Sequence, residues 1–225
     1  MSEPAGDELV RDLERRFVTA SEHVELPRTA VDLLRPRSAD ALISEADFVG
    51  DERLPYWADL WPSSIVLATR LLEERGDGRT LLELGCGLGL VTIAAMRSGF
   101  NVLATDYYED AMRFTRANAW RALGREPRTR LVDWRATPED LGTAQRVVAA
   151  DVLYERRYAL LVATVIAQVL AEEGEALIAD PGRRATPAFL RQCARHDLQL
   201  VGTEVRPYAA GRIRQRITIY TVRRA

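Results

Sequence analysis

The 225-residue sequence predicts a doubly wound α/β fold on a mostly parallel sheet. Three observations carry that expectation. The apolar run Leu81-Leu82-Glu83-Leu84 breaks at Gly85, Gly87 and Gly89, and an apolar helical pattern follows at once. Strand-like and helix-like segments then alternate as far as His196. The chain ends on two consecutive strand-like segments, 199–205 and 216–222, with no helix between them, which implies an antiparallel closing pair.

The elements follow in order. Leu9, Val10, Leu13 and Phe17 share one side of a helix over 7–20. Residues 23–27 read as extended, and 36–51 as loop with short apolar pieces. Residues 1–53 thus form a helical and loop-like N-terminal extension that caps the core at the sheet edge or borders the substrate. Residues 54–225 form the main domain. Pro62 suits the first turn of a helix through Ile65, Leu67, Ala68 and Leu72, which ends at Gly76-Asp77-Gly78. Strands are expected at 80–84, 101–105, 130–132, 146–150 and 175–179. Helices are expected at 88–98, 109–123, 158–171 and 187–196. A loop containing Pro207 and Gly211 joins the two final strands.

The glycine-rich turn and Asp106 carry the chemistry. Glycine lets backbone approach a ligand closely, and the helix start offers free N–H groups. Asp106, at the tip of the second strand, can accept hydrogen bonds from both hydroxyls of a ribose. Together they predict a nucleoside-containing cofactor over the carboxyl ends of the sheet. In the dinucleotide fingerprint the third glycine would stand at Leu90, but here it is Gly89, one residue early. A NAD-linked reductase and a ligand-free tight turn remain as alternatives at this level. After the third strand, Asp133 can take the exocyclic amine of adenine; Trp134 can cover its face or simply pack in the core. After the fourth, Asp151 and Tyr154 would share one side of a helical turn, or Asp151 would cap a helix. After the fifth, Asp180-Pro181-Gly182-Arg183 reads as a site loop or a plain reverse turn.

Composition narrows the function. The formal charge of −2 gives no global basic field for nucleic acid. No apolar run is long enough to cross a bilayer, and the acidic N-terminus is unlike a signal peptide. The only cysteines, Cys86 and Cys193, lack metal-ligand spacing. These features suit a cytoplasmic monomer without a metal. All 31 basic residues are arginine, which excludes a lysine base or Schiff base.

The shorter G-x-G-x-G spacing resembles motif I of class I S-adenosylmethionine (SAM) methyltransferases, and Glu83 stands where that family often has an acid. The ordered series Pro55-Tyr56-Trp57-Ala58-Asp59-Leu60-Trp61-Pro62, motif I, Asp151-x-x-Tyr154 and Asp180-Pro181-Gly182-Arg183 is more selective. It resembles the seven-strand protein methyltransferases, in the branch containing the lysine methyltransferase of the electron-transfer flavoprotein β subunit. The similarity runs over 54–220.

That resemblance implies a Rossmann-like seven-stranded sheet closed by a C-terminal antiparallel strand, with S-adenosyl-L-methionine as cofactor. It implies that Trp61 approaches the cofactor and that Gly85, Cys86 and Gly87 pass its methionine part, within the motif that Gly89 completes. Asp106 would hold the ribose, Trp134 would lie beside the adenine, and Ala150 would make a backbone contact. Asp133 fits the general class I pattern. Asp151 and Tyr154 would form a D-x-x-Y motif on the substrate side. The implied activity is N-methylation of lysine in a protein substrate. The alternatives are a small-molecule N-methyltransferase and a non-catalytic SAM-binding partner protein. The absence of lysine then has two explanations, codon usage in a GC-rich genome or avoidance of self-methylation.

Overall fold

The computed structural model describes residues 5–39, 42 and 54–225. Helix α1 (Ala5–Arg16) has Asp7 and Glu8 in its first turn and Arg15 and Arg16 in its last, the order the helix dipole favours. It stops before the expected 20, because Thr19 and Ala20 pair with Pro36 and Arg35 in an antiparallel hairpin, β1 (Thr19–Leu26) and β2 (Thr29–Pro36). The loop expected over 36–51 falls largely outside the described residues.

Pro62 occupies the first turn of α2 (Pro62–Leu71), where its missing N–H costs nothing. The core then alternates as its apolar periodicity predicts: β3 (Thr80–Leu84), α3 (Leu90–Arg97), β4 (Asn101–Asp106), α4 (Glu109–Leu123), β5 (Arg128–Leu131), β6 (Ala144–Ala150), α5 (Arg156–Val169), β7 (Leu170–Asp180) and α6 (Thr186–Arg195). Strands β8 (Leu198–Ala210) and β9 (Ile213–Arg224) end the chain.

Seven strands form one sheet in the order β5-β4-β3-β6-β7-β9-β8, and only β9 runs against the others. The order reverses between β3 and β6, which opens a crevice at their carboxyl ends. Helices α2, α3 and α4 cover one face, and α5 and α6 the other. Each face has its own core, one around Leu67, Leu90, Ile93 and Phe114, the other around Val162, Ile166 and Phe189.

Two differences from the sequence reading have physical causes. Among the described residues, α1, β1 and β2 line neither the sheet edge nor the cavity. They lie over the helices, α1 and β2 against α4 and β1 against α2. Asn118 of α4 clips β2 there: Oδ1 accepts the Leu34 amide at 2.7 Å, and Nδ2 donates to the Leu34 and Leu88 carbonyls at 2.9 Å. Buried bonds of this kind contribute about 1 kcal/mol each, and more is lost when one partner is removed. At the other end, the expected loop is mostly strand. Pro207 lies inside β8 opposite Arg216, and Gly211 and Arg212 alone make the turn. An edge strand tolerates proline because its outward N–H has no ladder partner to lose.

Among the described residues, no helix is long and apolar enough to cross a membrane.

Candidate active site

The glycine turn joins β3 to α3. Gly85, Gly87 and Gly89 have φ of 73°, 50° and 86°, a region that L side chains enter at a cost. The amides of Gly85 and Cys86 both donate to the Thr105 carbonyl at 2.9 Å, which ties the turn to β4. A Cβ on Gly85 would stand 3.3 Å from Val152 and 3.7 Å from Trp134; one on Gly87 would stand 3.2 Å from the Trp57 carbonyl. Bare backbone therefore lines the cavity here.

Asp106 ends β4 behind this turn. One oxygen accepts the Gly87 amide and the other the Tyr108 amide, both at 3.0 Å. The Tyr107 amide bears on the same carboxylate, which still has acceptor capacity left for a ligand hydroxyl. Burial pushes the Asp106 carboxyl above the usual range, with the backbone donors opposing the shift. Glu83 is 3 % exposed, and burial pushes its carboxyl up to about 8 while the Thr92 hydroxyl donates to it. Cys86 is a buried free thiol, pushed well up by burial, beside the Thr115 hydroxyl at 3.3 Å.

Two further walls close the site. Val132 donates to the Asp106 carbonyl at 2.8 Å, which brings the end of β5 alongside. Asp133 caps the short 3-10 turn Trp134–Ala136, accepting the Arg135 amide at 2.9 Å and its guanidinium at 2.7 Å. Trp134 both lines the cavity and packs edge-on against Tyr158, centroids 5.6 Å apart. Opposite, Trp61 caps α2 and donates Nε1 to the Tyr56 carbonyl at 2.9 Å.

Asp151 follows Ala150 at the end of β6. The helical turn expected for Asp151 and Tyr154 is absent: α5 begins only at Arg156, and Asp151 has φ 58°. Nor does Asp151 cap the helix; Glu155 holds that position. Its amide donates to the Ala179 carbonyl at 2.9 Å, continuing the β6–β7 ladder. The acid and the tyrosine still share the cavity, across a non-helical link. Tyr154 stacks edge-on with Tyr56 at 5.1 Å and lies 4.8 Å from Tyr158. Burial and its hydrogen bond to Tyr158 raise its hydroxyl above the ordinary range.

Trp61, Glu83, Gly85, Cys86, Gly87, Gly89, Asp106, Asp133, Trp134, Ala150, Asp151 and Tyr154 all line one cavity of about 470 Å³. That volume lies within the range of small-molecule sites. The sequence reading missed further lining residues, Tyr107, Tyr108, Tyr158 and Leu161 among them. It also missed the contact between Arg183 and Asp151, 32 residues apart, at 2.7 Å. The tyrosine pair directly after Asp106 was the one visible signal.

Residues 55–195 match the family model described as lysine methyltransferase. The chain belongs to the lysine methyltransferase family. Its cofactor is S-adenosyl-L-methionine. The bare glycine turn, the lone pairs left on Asp106 and the indoles of Trp61 and Trp134 fit a ligand with a ribose and a flat base. A curated relative, the electron transfer flavoprotein beta subunit lysine methyltransferase of Xenopus laevis, is 32 % identical over 136 residues, 57 % of this chain and 53 % of that protein. Its namesake from Danio rerio is 45 % identical over 67 residues, 28 % of this chain and 26 % of that protein. The chain thus spans about half, or less, of the relatives it matches. Among solved structures, the magnesium protoporphyrin IX methyltransferase from Synechocystis PCC 6803, solved with bound SAH, superposes with a TM-score of 0.55 at 18 % identity. That match covers 72 % of this chain and 81 % of the other, and it shows the shared methyltransferase fold.

Proposed function

We propose that this chain is a SAM-dependent protein-lysine N-methyltransferase, acting as a cytoplasmic monomer on another protein. One observation carries the reading. One cavity is lined by the backbone of the glycine turn, by Asp151 and by the aromatic cluster of Tyr56, Trp61 and Tyr154. An anion beside aromatic faces suits an ammonium group. The cofactor supplies an electrophilic methyl group on sulfur.

The protein's own work is then to deliver a neutral amine. A free lysine amine has a pKa of about 10.4 and is mostly protonated at neutral pH. Aromatic walls that exclude water favour its neutral form. Asp151 accepts an amine N–H and aims the lone pair along the transfer line, and the Tyr154 ring flanks the approach. Asp106 holds the ribose; Gly85, Cys86, Gly87, Gly89, Glu83 and Ala150 border the methionine part; Trp61, Asp133 and Trp134 border the rest. In the extension expected over 1–53, the described elements α1, β1 and β2 pack on this domain from the helix side.

The test is incubation of a lysate with the purified chain and SAM labelled on its methyl group, with mass spectrometry of any labelled band. Label on a protein lysine is expected, and its loss with Asp151→Asn, by about a hundredfold in turnover. Label confined to small metabolites would refute the protein substrate.

A further inference from the structure

The two oxygens of Asp151 are not equivalent. Oδ1 accepts Nε of Arg183 at 2.7 Å, the length of a charge-assisted bond. Among the described residues, Oδ2 has only the Ser63 hydroxyl of α2, at 3.4 Å, near the outer limit of a hydrogen bond. The Asp151 side chain is 4 % exposed, yet the residue lines the cavity.

Arg183 is itself held from several sides. Asp180 ends β7, and its Oδ1 accepts the amides of Gly182 and Arg183 and the hydroxyl of Thr186, at 2.7–2.8 Å. The loop conformation therefore does not depend on Asp151. The guanidinium also lies over the Trp61 ring, 5.6 Å from its centroid. A planar cation fixed at its backbone and stacked on an indole has little freedom left to lose.

We propose that Arg183 is a positioning residue for methyl transfer: it pins the Asp151 carboxylate through Oδ1 and keeps it charged, as an acceptor for the incoming amine. The proposal rests on the lysine-methylation reading above. A buried carboxylate with no cation beside it takes up a proton, and a protonated acid puts a donor where the amine needs an acceptor. The groups facing Asp151 set this balance. Arg183 favours its charge, Ser63 of α2 assists weakly, and Asp180 and burial oppose it. Tyr56 acts electrostatically on the guanidinium. Among these, only Arg183 brings a permanent positive charge.

The test compares the full chain with Arg183→Gln and Arg183→Lys. The Asp151 carboxyl is titrated by carbon-13 NMR, its signal identified by its loss in Asp151→Asn. The pH dependence of kcat/KM is measured on the labelled protein substrate. In Arg183→Gln, the Asp151 titration and the acid limb of kcat/KM should move together to higher pH, with kcat/KM near neutrality reduced about tenfold or more. Arg183→Lys should restore part of both, and SAM affinity should stay within about twofold in each variant. A rate lowered equally at every pH, with the titration unmoved, would reduce Arg183 to a loop latch and overturn the proposal. The titration needs no turnover. A wild type that methylates no lysine would therefore refute the function above without touching the pairing, and an unmoved titration would refute the pairing alone.

Discussion

The Asp106 carboxylate accepts the amide of Gly87 at 3.0 Å, so the acid at the end of β4 braces the glycine turn at the end of β3. The proposed ribose contact falls to the same side chain as this brace. Asp106→Ala should weaken SAM binding about tenfold to a hundredfold and lower the melting temperature, because the Gly87 and Tyr108 amides lose buried acceptors. Calorimetric titration with SAM checks the first effect and thermal denaturation the second. Unchanged affinity would remove Asp106 from the cofactor site.

Glu83 makes stability depend on pH. Burial raises its carboxyl from 4.5 to about 8, so between those values the folded chain holds a proton the unfolded chain has released. Its contribution to stability is fully present below about 4.5 and is lost as pH rises through about 8. The buried Asp106 carboxyl, also raised, works in the same direction. Melting temperatures of the cofactor-free chain should fall across that window, and Glu83→Gln should flatten the fall. Equal slopes for both proteins would show that Glu83 is ionised in the fold.

Two glycines should respond differently to alanine. A Cβ on Gly89 would stand 2.9 Å from the Thr115 Cα, a backbone atom of α4 that cannot swing away, at φ 86°. Gly89→Ala should cost about 2 kcal/mol or more in denaturant unfolding. Gly124, at the end of α4 with φ 65°, meets nothing within 4 Å, so Gly124→Ala should cost only about 1 kcal/mol. Equal losses would mean that the turn can move away from α4.

Tyr154 separates ring from hydroxyl. Its ring contacts Tyr56 and Tyr158, and its hydroxyl is held protonated well past neutrality. It is therefore no general base at working pH. Tyr154→Phe should retain kcat within about fivefold, whereas Tyr154→Ala should lower kcat/KM about a hundredfold. Initial rates on the labelled substrate decide it. A Phe variant as slow as the Ala variant would put the hydroxyl in the chemistry.

The sequence by itself determined the strand–turn–helix unit around Gly85, Gly87 and Gly89, the proline start of α2, the bounds of α4 and the alternation that makes the sheet parallel. These are local properties, set by apolar periodicity, by glycine at positive φ and by a missing N–H, and each is readable within a short window. Tertiary structure decided the rest. Residues 29–36 became a strand because residues 19–26 pair with them, and Pro207 stayed in a strand because β8 is an edge strand with β9 on one side and no described strand on the other. Asp151 and Tyr154 came to line one cavity across a non-helical link rather than a helical turn, since β7 draws the Asp151 amide into the ladder. The pairing of Arg183 with Asp151 joins the ends of two neighbouring strands. Contacts of that kind follow from strand order and register, which depend on how the whole chain packs and not on any one segment of it.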